Sequence, residues 1–129
     1  MTIEAVLPAV TFRRTTVGGA ASHYRGAVDE VIDLDGLSVG HILVAPIAGL
    51  PGGWTVLDLV VRAAHRRRGA GTAALLRWAA VAHSQGGPLS ISRPGDDPYR
   101  DYYLRLGFRM IPAVGGRRLL YVHDQGFGW

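Results

Sequence analysis

Residues 61–71 read VRAAHRRRGAG, three consecutive arginines set against Gly-Ala-Gly. The meaning of this stretch depends on its flanks. Before it, WTVLDLVV (54–61) is a short apolar run with a single acid, Asp58, and predicts a strand. After it, AGTAALLRWAAVAHS (70–84) is rich in Ala and Leu and predicts a helix, apolar nearly all round and so well buried. A strand, a glycine turn and a helix N-terminus in that order gather backbone amides toward an anion, because the first helical turn leaves N–H groups free at the positive end of the dipole. Glycines let a ligand approach the main chain, and arginines at the rim add full charges. The arrangement suits a pyrophosphate. It is not a P-loop, which needs Gly-Lys-Ser/Thr, nor the dinucleotide fingerprint, which needs G-x-G-x-x-G with an acid about 20 residues on. On these residues alone, a tight structural turn and a nucleic-acid contact stay open.

Upstream, residues 4–14 predict a first strand and TTVGGAAS (15–22) a loop. HYRGAVDEVIDLDG (23–36) reads as a strand ending in an Asp-Gly hairpin signal, with LSVGHILVAPI (37–47) as its partner and AGLPGG (48–53) as a loop. Downstream, QGGP (85–88) stops the helix and LSISR (89–93) is a strand. PGDDP (94–98) offers Asp96 or Asp97 as the N-cap of a short helix, YRDYYLRLG (99–107), that ends on Gly107. FRMIP (108–112) and RRLLYVHD (117–124) are two closing strands around a Gly-Gly turn. The order β-β-β-β-α-β-α-β-β predicts an α+β fold, a mixed α/β sheet whose second half contains a crossover.

The length of 129 residues suggests one domain spanning 1–129. Without cysteine there is no disulfide, thiolate nucleophile or thiolate metal ligand. His23, His41, His65, His83 and His123 show no helical pair spacing, so no metal site is expected. No apolar run is long enough to span a bilayer, and the N-terminus lacks the basic start of a signal peptide; a cytoplasmic protein off the membrane is expected. The net charge is +4 and the pI about 10.1. All 14 basic residues are arginine, and lysine and asparagine are both absent. A GC-rich genome explains that bias; an anionic partner, favoured by the bidentate guanidinium, is compatible with it.

A second motif lies on the later helix and strand, YYLRLGF (102–108). Together, Arg66-Arg67-Arg68-Gly69-Ala70-Gly71 and Tyr103-Leu104-Arg105-Leu106-Gly107-Phe108 resemble the GNAT superfamily of acyl-CoA-dependent N-acetyltransferases. That family carries an R/Q-x-x-G-x-G/A turn after its fourth strand and a Tyr-x-x-x-Gly-Phe element closing its last helix. The resemblance covers residues 54–124 and implies a GNAT-like fold with acetyl-CoA as cosubstrate. The amides of Arg67 to Thr72, in a turn that begins at Arg66, would hold the pyrophosphate. The backbone of Leu59, Val60 and Val61 would pair with the pantetheine arm as an added strand. Tyr103 would sit near the sulfur as proton donor or hydrogen-bond partner, with Tyr102 as the tyrosine that packs the helix on the sheet.

Two features depart from the family pattern. Asp96 stands where the family often has asparagine; it accepts a hydrogen bond from a pantetheine amide or serves only as an N-cap. Upstream, two helices that usually separate the first and second strands are reduced or missing. An open cleft for a bulky acceptor, a second subunit (a homodimer, with Phe127 and Trp129 at the chain end either docking on it or folding back onto the domain) and loss of catalysis are three ways to read that. Transfer to an amine needs a base, and Asp58 is the first candidate, through the raised pKa it would have if it faced the core. The alternative for Asp58 is a cross-strand ion pair. His41 and Glu30 are weaker candidates, and His65 packs under the turn. The expected reaction is direct transfer of acetyl to a primary amine of a small molecule, protein or modified nucleic acid. A non-catalytic acyl-CoA-binding module of the same fold is the alternative. Nucleic-acid binding by Arg66–Arg68 ranks below both, because no aromatic platform accompanies the arginines.

Overall fold

The computed structural model describes residues 9–15, 24–112 and 117–124. The chain runs β1 (Val10–Arg14), β2 (Val28–Leu34), β3 (Leu37–Pro46), β4 (Trp54–Val61), α1 (Ala70–Ser84), β5 (Leu89–Pro94), α2 (Arg100–Arg105), β6 (Arg109–Pro112) and β7 (Arg118–His123). These strands form one sheet in the order β1-β2-β3-β4-β5-β7-β6. Its pairs are antiparallel except for β4 beside β5, which are parallel and joined through α1. The expected α+β mixed sheet is therefore the one observed.

Local chemistry accounts for the element ends. Asp35 and Gly36 both take positive φ, 51° and 81°, as the two-residue hairpin between β2 and β3 requires. Strand β2 starts at Val28, later than expected, because Tyr24 to Gly26 form a bend and Gly26 turns at φ 75°. Helix α2 is shorter than expected, and no side chain caps it. Asp97, one of the two acids expected at this helix start, accepts from the Tyr99 amide at 3.3 Å just outside it; Asp96 is exposed. The first-strand residues 4–8, the turn residues 115–116 and the terminal Phe127 and Trp129 lie outside the described residues, as does most of the 15–22 loop.

Both helices pack on one face of the sheet. Pairing register carries Glu30, Ile32, Ile42, Val44, Val56, Ile91 and Tyr121 to that face. Helix α1 meets it with Ala70, Ala74, Leu75, Trp78, Ala79 and Ala82, while Leu76 is exposed. The helix is thus buried along a stripe rather than all round, since only one layer covers it. Glu30, only 1% exposed, is the polar anchor of this contact. Its carboxylate accepts from Arg77 Nε and Nη2 at 3.0 and 2.9 Å and from Trp78 Nε1 at 2.8 Å. That hydrogen bonding raises the Arg77 guanidinium above its usual range. Glu30 is thereby committed to holding α1, away from any acceptor. The opposite face carries Asp29, His41, Leu43, Asp58 and Val60, and among the described residues no helix lies between β1 and β2 to cover it.

A bulge decides which face Asp58 occupies. Val44 pairs with Val56 and Leu43 with Asp58, so Leu57 is an extra residue in β4. In a regular ladder Leu57 would oppose Leu43, and Asp58 would point beneath α1. The inserted residue flips the phase and places Asp58 on the face without a helix.

Candidate active site

Strands β4 and β5 pair only over Trp54–Val56 and Leu89–Ile91, then diverge. The gap forms a cleft of about 840 Å³ that passes through the sheet, walled by β4 from Val56 to Val61, the turn after it, and α2. Beyond Val56, β4 therefore has no strand partner on its β5 side. Edge amides and carbonyls there are open to an extended ligand, apart from the Val61 carbonyl, which already accepts from Arg66 Nε.

The Arg/Gly turn closes one end of the cleft. Beyond β4, a single 3₁₀ turn, Ala63–His65, leads to Arg66 in extended backbone. Arg67 (φ 63°) and Gly69 (φ 85°) are left-handed, and α1 begins at Ala70. Left-handed residues in a tight turn bring successive N–H groups toward one side, as in an anion nest. No side chain caps α1, so the amides of its first turn point into the cleft end unclaimed by the chain's own caps. Gly71 is not demanded by packing: a Cβ there would meet only Val61 Cγ2, at an ordinary 3.6 Å. Its small size instead keeps the space above the helix start open, which fits a pyrophosphate lying on the main chain.

The predicted residues divide into those that meet at the cleft and those that do not. Leu59, Val60, Val61, Arg66, Arg67, Gly69, Ala70, Gly71, Thr72, Asp58 and Tyr103 all line it. Arg68 and Asp96 are exposed and stand outside its wall. The Arg66 side chain folds back, Nε donating to Val61 O at 3.0 Å, and braces the strand end. His65 is half-buried and lines the cleft, and its buried Nδ1 has no partner among the described residues.

The two tyrosines exchange their expected packing roles. Tyr103 is the buried one, 5% exposed, stacked on Tyr121 at 4.6 Å and edge-on to Phe108 at 5.6 Å. Burial pushes its hydroxyl up to about 12, opposed by the nearby Arg93 charge, so the group stays protonated and can donate. Tyr102, half-buried, joins its OH to Thr72 Oγ1 at 2.7 Å and ties α2 to the start of α1. The order of two adjacent tyrosines on a six-residue helix is set by which one faces β7, and the sequence carries no periodic signal over so short a span.

Asp58 does not face the core, so burial gives it no reason to act as a base. Its side chain is 52% exposed and Oδ2 lies 2.9 Å from His41 Nε2. It reaches the cleft from the sheet face opposite α1 and α2, and Tyr103 from the face that carries them. Sequence reading also missed Arg93 and Asp97. Asp97, buried, takes a bidentate contact from Arg93 at 3.2 and 2.9 Å, and the Arg93 guanidinium stacks over Tyr99 at 5.6 Å. Only the i, i+4 acid–base spacing hinted at that pair, and the strand-to-helix turn between them hid it. Among the described residues no cluster of His, Asp or Glu is placed to hold a metal ion, and no helix is long and apolar enough to cross a membrane.

Comparison with known proteins agrees with this geometry. A model of the acetyltransferase (GNAT) family matches residues 19–108. None of the curated proteins matches the sequence. Among solved structures, an acetyltransferase from Bacillus subtilis in complex with CoA superposes with a TM-score of 0.72 at 11% identity, over 90% of this chain and 99% of that one. A GNAT family acetyltransferase from Elizabethkingia anophelis with acetyl-CoA bound gives 0.69 at 13% identity, over 88% and 97%. The PaiA N-acetyltransferase from Thermoplasma acidophilum in complex with coenzyme A gives 0.61 at 15% identity, over 74% of this chain and 60% of that longer one. At these identities the likeness establishes a shared fold.

Proposed function

The chain belongs to the GNAT acetyltransferase family, and from that premise we propose that it moves an acetyl group from acetyl-CoA to a primary amine by direct attack, without a covalent enzyme intermediate. One observation carries the reading: the open amide cradle, the unpaired β4 edge, Tyr103 and Asp58 all converge on one gap in the sheet. The cradle from Arg67 to Thr72 holds the pyrophosphate, and the edge of Leu59–Val61 holds the pantetheine arm in extended form. The amine enters from the other face, beside Asp58. Its nitrogen bonds to the acyl carbon, the C–S bond breaks, and Tyr103 gives or shares its proton with the leaving sulfur. The sheet face that carries Asp58, over which no helix lies among the described residues, suits a bulky acceptor such as a peptide terminus, and the +4 charge disfavours polycationic ones.

Titration calorimetry with acetyl-CoA, alongside ATP, tests the cradle. Saturable binding, abolished by Gly69→Asp, is expected, because an acid at the nest repels phosphate. A screen of peptide N-termini, tyramine and spermidine for thiol release then tests turnover. Binding without thiol release from any amine would instead support a non-catalytic acyl-CoA-binding module of the same fold.

A further inference from the structure

Transfer to an amine that arrives as R–NH₃⁺ has a fixed proton balance. The products are R–NH–CO–CH₃, the free thiol and one proton. The ammonium gives up two protons in all; one ends on the sulfur and the other must leave the site. The proposed mechanism places Asp58 beside the amine, but a free carboxylate is a poor receiver. Model imidazoles hold a proton roughly two to three pH units more tightly than model carboxylates.

We propose that His41 is the receiver of that proton, acting through Asp58 as a positioning residue; this rests on the transfer reading above. Three observations support it. His41 Nε2 lies 2.9 Å from Asp58 Oδ2, within hydrogen-bond reach. The Leu57 bulge turns Asp58 away from α1 and onto the face where the β3–β4 register places His41, opposite Val60. Asp58 lines the cleft, whereas His41 stands behind it with its side chain 41% exposed, in reach of solvent. A pair this exposed adds little to stability, so packing does not account for it.

The step balances without any further reagent. The amine gives its proton to Asp58, which hands it on to Nε2 of His41 in the Nδ1–H tautomer; the pair then rests as imidazolium and carboxylate, and the imidazolium loses the proton to water. Asp58 carries the proton only in passing, so its carboxylate is restored and attracts the next cationic amine. Among the described residues, the pairing register also puts on this face Asp29, on β2, and Asp33, which Arg13 already engages at 2.6 Å. Glu30 and Arg77 lie on the opposite side of the sheet.

The test is steady-state thiol release by the full chain from saturating acetyl-CoA, with a free peptide N-terminus, tyramine and spermidine as probe amines. His41→Ala is expected to lower kcat about a hundredfold near neutral pH, the usual scale for a lost base. Acetyl-CoA affinity should stay within about twofold, which reports an intact fold. With the peptide N-terminus the deficit should shrink to a few-fold at about pH 10, where that α-amine is itself neutral, and it should persist longer with the more basic alkyl amines. Added imidazole should restore at least about tenfold of the loss. His41→Gln, which can still donate a hydrogen bond to Asp58 but takes no proton, should remain as slow as the alanine variant. Wild-type rates in either variant, or a loss that neither pH nor imidazole relieves, overturn the role of His41 alone. Acetyl-CoA binding without thiol release from any probe amine by the wild type overturns the transfer reading, and His41 with it.

Discussion

Gly71→Asp separates what the fold needs from what a ligand needs. Gly71 is the second residue of α1, and its φ is not left-handed. A Cβ there meets one atom, Val61 Cγ2, at an ordinary 3.6 Å, so the backbone accepts a side chain. Aspartate is a slightly better helix residue than glycine, and in the first turn its charge faces the positive end of the dipole, together worth about 0.5 kcal/mol. For a domain of this size about 0.5 kcal/mol corresponds to a rise of roughly 1–3 °C in Tm. The same carboxylate stands in the turn whose amides are read to hold the pyrophosphate. It repels the phosphates and competes with them for those amides, which weakens several charge-assisted hydrogen bonds at once. Losing even about 1.4–2.8 kcal/mol there reduces affinity roughly ten- to a hundredfold. The assay is a pair of measurements on one preparation, thermal unfolding without ligand and calorimetry with acetyl-CoA. Stability equal or higher with affinity at least about tenfold weaker is the expected outcome. Unchanged affinity in a variant that is at least as stable refutes the cradle.

Other consequences are as direct. Tyr103→Phe keeps the ring contacts with Tyr121 and Phe108 and removes only the hydroxyl, so acetyl-CoA binding should persist while the transfer rate falls about ten- to a hundredfold. Because burial raises the Tyr103 hydroxyl to about 12, its share of stability is full below the ordinary phenol value of 10.0 and lost as pH climbs toward 12. Urea midpoints should therefore fall over that window, and less steeply in Tyr103→Phe, with the remaining slope coming from Tyr121, which burial shifts the same way. The Thr72–Tyr102 hydrogen bond predicts a coupling of about 1 kcal/mol in a Thr72→Val, Tyr102→Phe double-mutant cycle read by denaturation; additive effects would remove that link between the helices. Glu30→Ala leaves the buried Trp78 Nε1–H without its acceptor, while the part-exposed Arg77 can turn to water, and should cost about 1–3 kcal/mol by urea unfolding. A folded Glu30→Gln variant should transfer acetyl at close to the wild-type rate, and a hundredfold loss there would bring Glu30 into the chemistry.

What was legible in the sequence was local. The Asp35-Gly36 hairpin, the breaker-free run of α1 and the strand–Arg/Gly–helix order each follow from backbone preferences of a few consecutive residues, and with them came the α+β order and the turn with left-handed Arg67 and Gly69 at the start of α1. The second motif at Tyr103 added the likeness to acetyltransferases. What only the tertiary structure decided was which groups face one another. A single extra residue at Leu57 reverses the phase of β4, and no composition rule marks it, so Asp58 left the core for a partner, His41, on the neighbouring strand. Contact with Tyr121 made Tyr103, not Tyr102, the buried tyrosine, and Glu30 became an anchor once Arg77 and Trp78 closed on it from 47 and 48 residues away. Faces and pairings of this kind depend on register between distant strands, and register is a property of the assembled sheet rather than of any stretch read alone.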